Sequence, residues 1–405
     1  MSTERQAIPR YRAFEGPPLF RQGYRPFFLG AGLWALVDTA LWFAVLNGLL
    51  SIPTAFVPAA WHAHEMIFGF AAATIAGFLL TAIPNWTGRM PLQGGPLVVL
   101  FAIWLIGRAA VATSAIIGPS LAAGLDLAFP VLLIGVVLRE ILAGRNWRNL
   151  PMPAALVGLL VANVLTHLET IGLADTGSIG QRLGIGIIII LISLIGGRII
   201  PSFTRNWLAK RGATSMPATP NGFDRFCLAL VVAALGAWVA IPGEMATGAL
   251  FLAAGFASFA RLVRWRGHDT LAEPLVWSLH AGFAWVPAGL CLIGLGILVP
   301  SVFPATAGLH ALSVGAIGLM TLAVMTRATL GHTGRGLEAD RWTTAIYILI
   351  AAAALVRVAA PFMVDFYGAL LLASAFLWSA AFGLFVLRYG RMLIRDHIEK
   401  EARKT

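Results

Sequence analysis

Eight histidines occur in the 405 residues, and those in Trp61-His62-Ala63-His64-Glu65-Met66 have the most informative spacing. Neutral imidazole is a good ligand for iron and copper, and within a hydrophobic span it is costly unless it pairs, faces a cavity or ligates something. Two steps along an α-helix turn about 200°, so His62 and His64 point to opposite sides and serve two sites flanking one helix. A zinc-protease site needs histidines four apart with a glutamate beside the first, and that spacing is absent. His167 and His310 belong to the same depth as this pair, whereas His280 lies deeper and His268, His332 and His397 sit at or beyond the opposite ends of their helices. Four histidines at one level point to a metal or cofactor site; the plain alternative for each is an interfacial histidine wetted by lipid headgroups. Asp38, Arg108, Asp126 and Arg198 add charge inside apolar runs. Such groups line a proton path, face a haem propionate or pair for structure.

The elements that must position these residues are hydrophobic. The chain is 59% hydrophobic and 12% charged, with mean hydropathy +0.82, outside the soluble globular range. Runs long enough to cross about 30 Å of hydrocarbon cover residues 26–50, 61–83, 96–117, 120–142, 153–172, 183–203, 223–242, 246–263, 275–298, 305–330, 343–362 and 365–388. The predicted fold is an all-α integral membrane protein of about twelve spans: a basic arm over 1–25, one membrane domain over 26–390 and a basic tail over 391–405.

Arginine and lysine alternate between the connections. They mark the N-terminal arm (Arg5, Arg10, Arg12, Arg21, Arg25), Arg89, the 139–148 and 205–211 segments, Arg261 to Arg266, Arg335 to Arg341 and the C-terminal tail with Lys400, Arg403 and Lys404. Loops near 51–60, 114–120, 241–246 and 299–305 have none. Basic residues are retained on the cytoplasmic side, so both termini are expected there. The same distribution explains the net charge of +11 without nucleic acid. No cleavable signal fits, because the first run is a full span behind a basic arm. Cys227 and Cys291 stand alone, excluding disulfide frameworks, zinc ribbons and covalent haem attachment.

An internal echo relates the second, sixth and tenth runs. Offsets of 5, 17 and 23 from His64 give Gly69, Thr81 and Thr87; from Gln181 they give Gly186, Arg198 and Thr204; from His310 they give Gly315, Arg327 and Thr333. Pro84 matches Pro201, and Thr87-Gly88-Arg89 is repeated as Thr333-Gly334-Arg335. A four-helix interval predicts three groups of four helices, whereas a transporter of two six-helix halves would pair the second run with the eighth.

Four segments together resemble the NnrS family: Arg21-Gln-Gly-Tyr-Arg-Pro-Phe-Phe28, Trp61-His-Ala-His-Glu-Met66, Gly77-Phe-Leu-Leu-Thr-Ala-Ile-Pro-Asn-Trp-Thr-Gly88 and Gly197-Arg-Ile-Ile-Pro-Ser-Phe-Thr204, with the His310 helix and its Gly331-His-Thr-Gly-Arg335 end. The resemblance implies a bacterial inner-membrane protein containing haem, of b type and in up to two copies, and copper, linked to denitrification and nitric oxide tolerance. It makes His62, His64 and His310 the preferred haem ligands and His167 and His280 the candidates for copper or a second axial position; Arg198, as an intramembrane charge, is a candidate cofactor contact against a haem propionate. The threefold echo is also similar to haem-copper oxidases, which take haem ligands from helices 2 and 10; their copper histidines on helices 6 and 7 have no counterpart here. Three functions follow as expectations: reduction of nitric oxide at an open haem position using an unidentified electron donor, nitric oxide binding or sensing without turnover, or transport through the charged intramembrane positions.

Overall fold

The computed structural model describes residues 14–395; Arg5, Arg10, Arg12, His397, Lys400, Arg403 and Lys404 lie outside them. Backbone amides in hydrocarbon have no water to bond, so a chain this apolar satisfies them within helices. Twelve are long and apolar enough to span a membrane: α1 Tyr24–Leu46, α2 Pro58–Thr87, α3 Gly95–Ala112, α4 Pro119–Ala143, α5 Pro151–Ile171, α6 Gly177–Lys210, α7 Gly222–Ala240, α8 Met245–Val263, α9 Pro274–Leu298, α10 Ala305–His332, α11 Arg341–Ala359 and α12 Tyr367–Ile394. The protein is an all-α, multi-pass membrane protein.

Local chemistry sets the ends. Proline opens α2, α4, α5 and α9, where its missing N–H costs no helical bond. Gly88 and Gly172, at φ 71° and 82°, close α2 and α5 in the left-handed conformation a side chain would strain. Two predicted runs stop early: α1 ends at Leu46 before the Asn47-Gly48 turn, and the third breaks at Ala112, followed by a separate turn over Ser114–Ile117. α6 is much longer than the predicted 183–203: 34 residues, or about 51 Å. Its polar ends extend the helix beyond the apolar stretch that hydropathy detects.

Successive helices pack as antiparallel neighbours, and α12 returns against α1. Arg25 helps close this ring by donating from Nη1 to the carbonyls of Leu393 (2.9 Å) and Arg395 (3.2 Å) at the end of α12. Trp378 of α12 donates its indole N–H to Ala35 of α1 at 3.1 Å. α2, α6 and α10 also touch one another. Their most apolar windows are 67%, 61% and 67% buried, against at most 50% in any other span. They form the centre, with the other helices around them.

The echo between α2 and α10 extends to the backbone. Each begins as an α-helix through its histidine, widens into a π-helix over Glu65–Ala71 or Ala311–Gly318, and resumes as an α-helix. π segments are rare and concentrate at functional sites. α6 is α-helical throughout. Gly69 and Gly315 lie inside the π segments, and a Cβ on either would meet tryptophan: Trp34 Nε1 at 2.7 Å or the Trp285 ring at 2.5 Å. Because an added Cβ would also lie 2.9 Å from Trp285 Cβ, which the α9 backbone holds, Gly315→Ala is expected to destabilise the protein by about 1–3 kcal/mol. Thermal melting in detergent would show this; an unchanged melting temperature would contradict the close packing.

The connections define two ends of the bundle. Those at 47–57, 113–118, 172–176, 241–244, 299–304 and 360–366 contain no lysine or arginine, whereas every described connection at the other end contains arginine. His62, His64, His167 and His310 all belong to the arginine-poor end.

Candidate metal and cofactor centres

His62 and His64 turn to different neighbours, as their spacing requires. His62 faces α1, where Nδ1–H donates to Asp38 Oδ2 at 2.9 Å and the ring stacks on Trp42 with centroids 4.9 Å apart. Its Nε2 has no partner among the described residues. His310, at the matching position of α10, donates Nδ1–H to the Thr306 carbonyl at 2.8 Å, again leaving Nε2. Such an Nδ1 bond fixes the tautomer and aims the Nε2 lone pair, the usual preparation of a metal-binding imidazole. The two histidines are close enough to interact electrostatically, and Arg357 of α11 acts on His310 as well. Tyr367 interacts with the Arg357 guanidinium, whose buried Nη1 has no hydrogen-bond partner among the described residues.

His64 enters a different environment, among α3, α4 and α5. Its Nδ1 lies 3.3 Å from Glu65 Oε1, and its Nε2 lies 2.9 Å from Asn163 Oδ1 and 3.2 Å from Asp126 Oδ2. Arg108 joins the carboxylates, with Nη1 on Glu65 at 2.6 Å and Nη2 on Asp126 Oδ1. Asp126 Oδ2 also accepts from Asn163 at 2.8 Å and from His167 Nε2 at 3.0 Å. All six side chains are buried. Gly69 permits the convergence, since a Cβ there would lie 2.8 Å from Glu65 Oε2 and 3.0 Å from Arg108 Nη1. Gly107 likewise admits Asp126, whose Cα would be 3.2 Å from an added Cβ.

Charge is unbalanced across this end. Asp38 interacts electrostatically with Glu65 and Arg108, so the group contains three buried carboxylates and one guanidinium. Unpaired charge in a membrane interior is expensive, so protons on the carboxylates or two further positive charges must offset the excess. Protons on His62 and His64 can supply them, as can cations bound to the histidines. His64, Asp126 and His167 offer ligand atoms within 4.8 Å of one another. Two imidazoles and a carboxylate suit a first-row transition metal and leave a coordination position open. His167 Nδ1 is buried without a partner, so the ring has a second nitrogen with which to meet an ion.

The other candidate residues lie elsewhere. His280, in α9, donates from Nε2 to Thr204 Oγ1 at 2.7 Å, while the Thr204 hydroxyl donates to Ile200. It packs against Gly267 at the arginine-rich end, apart from the other four histidines. Arg198 is seventeen positions along α6 from Gln181, about 25 Å deeper than the histidine level. Its nearest polar partner is Asn149 Oδ1 at 3.5 Å. Sequence reasoning missed Glu65, Asn163 and Arg357 as participants. Glu65 and Arg357 are intramembrane charges like those it recognised, and Asn163 is one helical turn before His167.

No curated protein matches the chain. A family model described as NnrS protein matches residues 18–397, which includes every residue of both centres. The chain belongs to the NnrS family.

Proposed function

We propose that this protein handles nitric oxide within the bacterial inner membrane, using haem held by His62 and His310 and a second metal, copper, held by His64, Asp126 and His167. The observation carrying this reading is the matched preparation of His62 and His310: each Nδ1 is tied to an oxygen acceptor and each Nε2 is left free. Their positions suit a bis-histidine haem of b type, with the unpartnered Arg357 Nη1 available to a propionate. The open position at the second centre would receive nitric oxide. The bound metals would supply one-electron chemistry, the haem relaying electrons from a donor yet to be identified.

The chain's own residues orient and charge these centres. Asp38 holds the His62 ring and raises its basicity as a ligand. Arg108 holds Glu65 and Asp126 in fixed positions, and Asn163 orients Asp126 toward both histidines. Glu65 can hold a proton at His64 Nδ1, leaving Nε2 beside Asp126 to ligate next to the proposed nitric oxide position. α2 bears ligands for both centres two residues apart, giving electrons a short route through one backbone.

Purified protein should show a haem absorption spectrum and bound copper, and should consume nitric oxide anaerobically with a reductant. Metal-replete protein that binds nitric oxide without consuming it would replace turnover with binding. Absence of both metals would overturn the assignment.

A further inference from the structure

The central helices also enclose a cavity of about 410 Å³ at the arginine-rich end. Its wall brings together Thr81, Arg198 and Arg327, the three residues that the internal echo places at equivalent positions on α2, α6 and α10. Asn85, Trp86 and His332 complete the polar lining. No acidic residue lines the cavity, and neither Arg198 nor Arg327 forms an ion pair among the described residues. Arg327 lies over the Phe203 ring, 4.0 Å from its centroid, and the contact of Arg198 with Asn149 is at the limit of a hydrogen bond. The rest of the wall is apolar, including Phe28, Phe78 and Ile195.

Arg198 is exposed and Arg327 half-buried, with Glu273 acting on Arg327 electrostatically from outside the lining, so an anion entering the chamber would meet two guanidinium groups that no carboxylate touches. Their planar forks match carboxylate or phosphate oxygens. The chamber is too large for a bare anion and has the volume of a small-molecule site. It shares Phe78, Ile195, Ile199 and Val324 with a second, wholly apolar cavity of about 80 Å³ farther along the axis. The space is therefore cationic at one end and oily at the other.

We infer that the axial cavity between α2, α6 and α10 binds an amphiphilic anion, its phosphate or carboxylate head between Arg198 and Arg327 and its apolar body along the axis. A membrane phospholipid and a soluble phosphate compound share the required head chemistry. The site is distinct from the histidine centres at the opposite end.

The full-length protein in detergent is titrated with phosphatidylglycerol, phosphatidylcholine or glycerol phosphate, with binding read by native mass spectrometry and thermal melting. Phosphatidylglycerol should bind the wild type, and R198Q/R327Q should weaken it at least tenfold, while R145Q/R148Q, which removes exposed charge at the same end, leaves it unchanged. The same pattern with glycerol phosphate would identify a soluble ligand instead. R198K/R327K should retain most binding and shows whether charge, rather than folding, is responsible. Equal binding to the wild type and R198Q/R327Q, or no anion binding to the wild type, would overturn the site.

Discussion

His62→Ala or His310→Ala is expected to reduce bound haem at least tenfold, whereas His64→Ala and His167→Ala should leave the haem spectrum in place and lower bound copper. The difference follows from the two faces of α2. His62 and His310 have no Nε2 partner among the described residues and interact electrostatically with each other, while His64 is enclosed with Asp126, Asn163 and His167. Asp38→Asn makes a finer test, because an amide can still hold the His62 ring but removes the negative charge behind it. Loss of such a supporting carboxylate weakens metal binding by about 10–100-fold, so this variant should retain haem only at high haem concentration. Absorption spectra and metal content of the purified variants would decide the matter. Equal haem loss in all four histidine variants would show one centre, not two.

Arg108→Gln should be the most disruptive conservative change in the buried network, costing about 3–5 kcal/mol because it leaves Glu65 and Asp126 without their guanidinium. Glu65→Gln should cost only about 1 kcal/mol, since its amide oxygen can still accept from Arg108 and the substitution removes an excess negative charge. In the double variant, Glu65→Gln should rescue part of the loss. Contacting residues of this kind couple by about 0.5–3 kcal/mol. Melting of the four proteins in detergent, with a check of copper content, measures the cycle. If Arg108→Gln melts with the wild type, the guanidinium does not hold the carboxylates. If Glu65→Gln is the more damaging variant, the excess negative charge inferred for this cluster is wrong.

Much of the architecture was legible because membrane insertion leaves direct marks in a chain. Twelve apolar runs and the alternation of arginine between connections anticipated the spans, and the recurrence of offsets from His64, Gln181 and His310 singled out the three helices that the structure places at the centre. The opposite directions of His62 and His64 followed from helix geometry alone. The partners were harder to read. Glu65 and Asp126 are far apart in sequence, and their meeting depends on Arg108 from a third helix and on the space left by Gly69 and Gly107. The distance between His280 and the other candidate ligands likewise came from its position near the opposite end of α9, which hydropathy located only coarsely. The π segments left no hydropathic signature, since an added residue in a wholly apolar helix does not interrupt its apolarity.

Those π segments separate the orientation of the first turn from that of the helix below. An α-helix advances about 100° per residue, so each widened turn acts as a phase offset between the histidine and the central packing surface. Winding the same seven residues 65–71 as a regular α-helix would swing His64 by about a quarter turn away from Asp126 while Ala72–Thr87 kept its place, whereas deleting one of them would remove the extra residue and leave both flanks in phase. The same holds for His310 and Leu319–His332. Ligand aim and bundle assembly are thus set by separate parts of one continuous rod, and the two can vary independently.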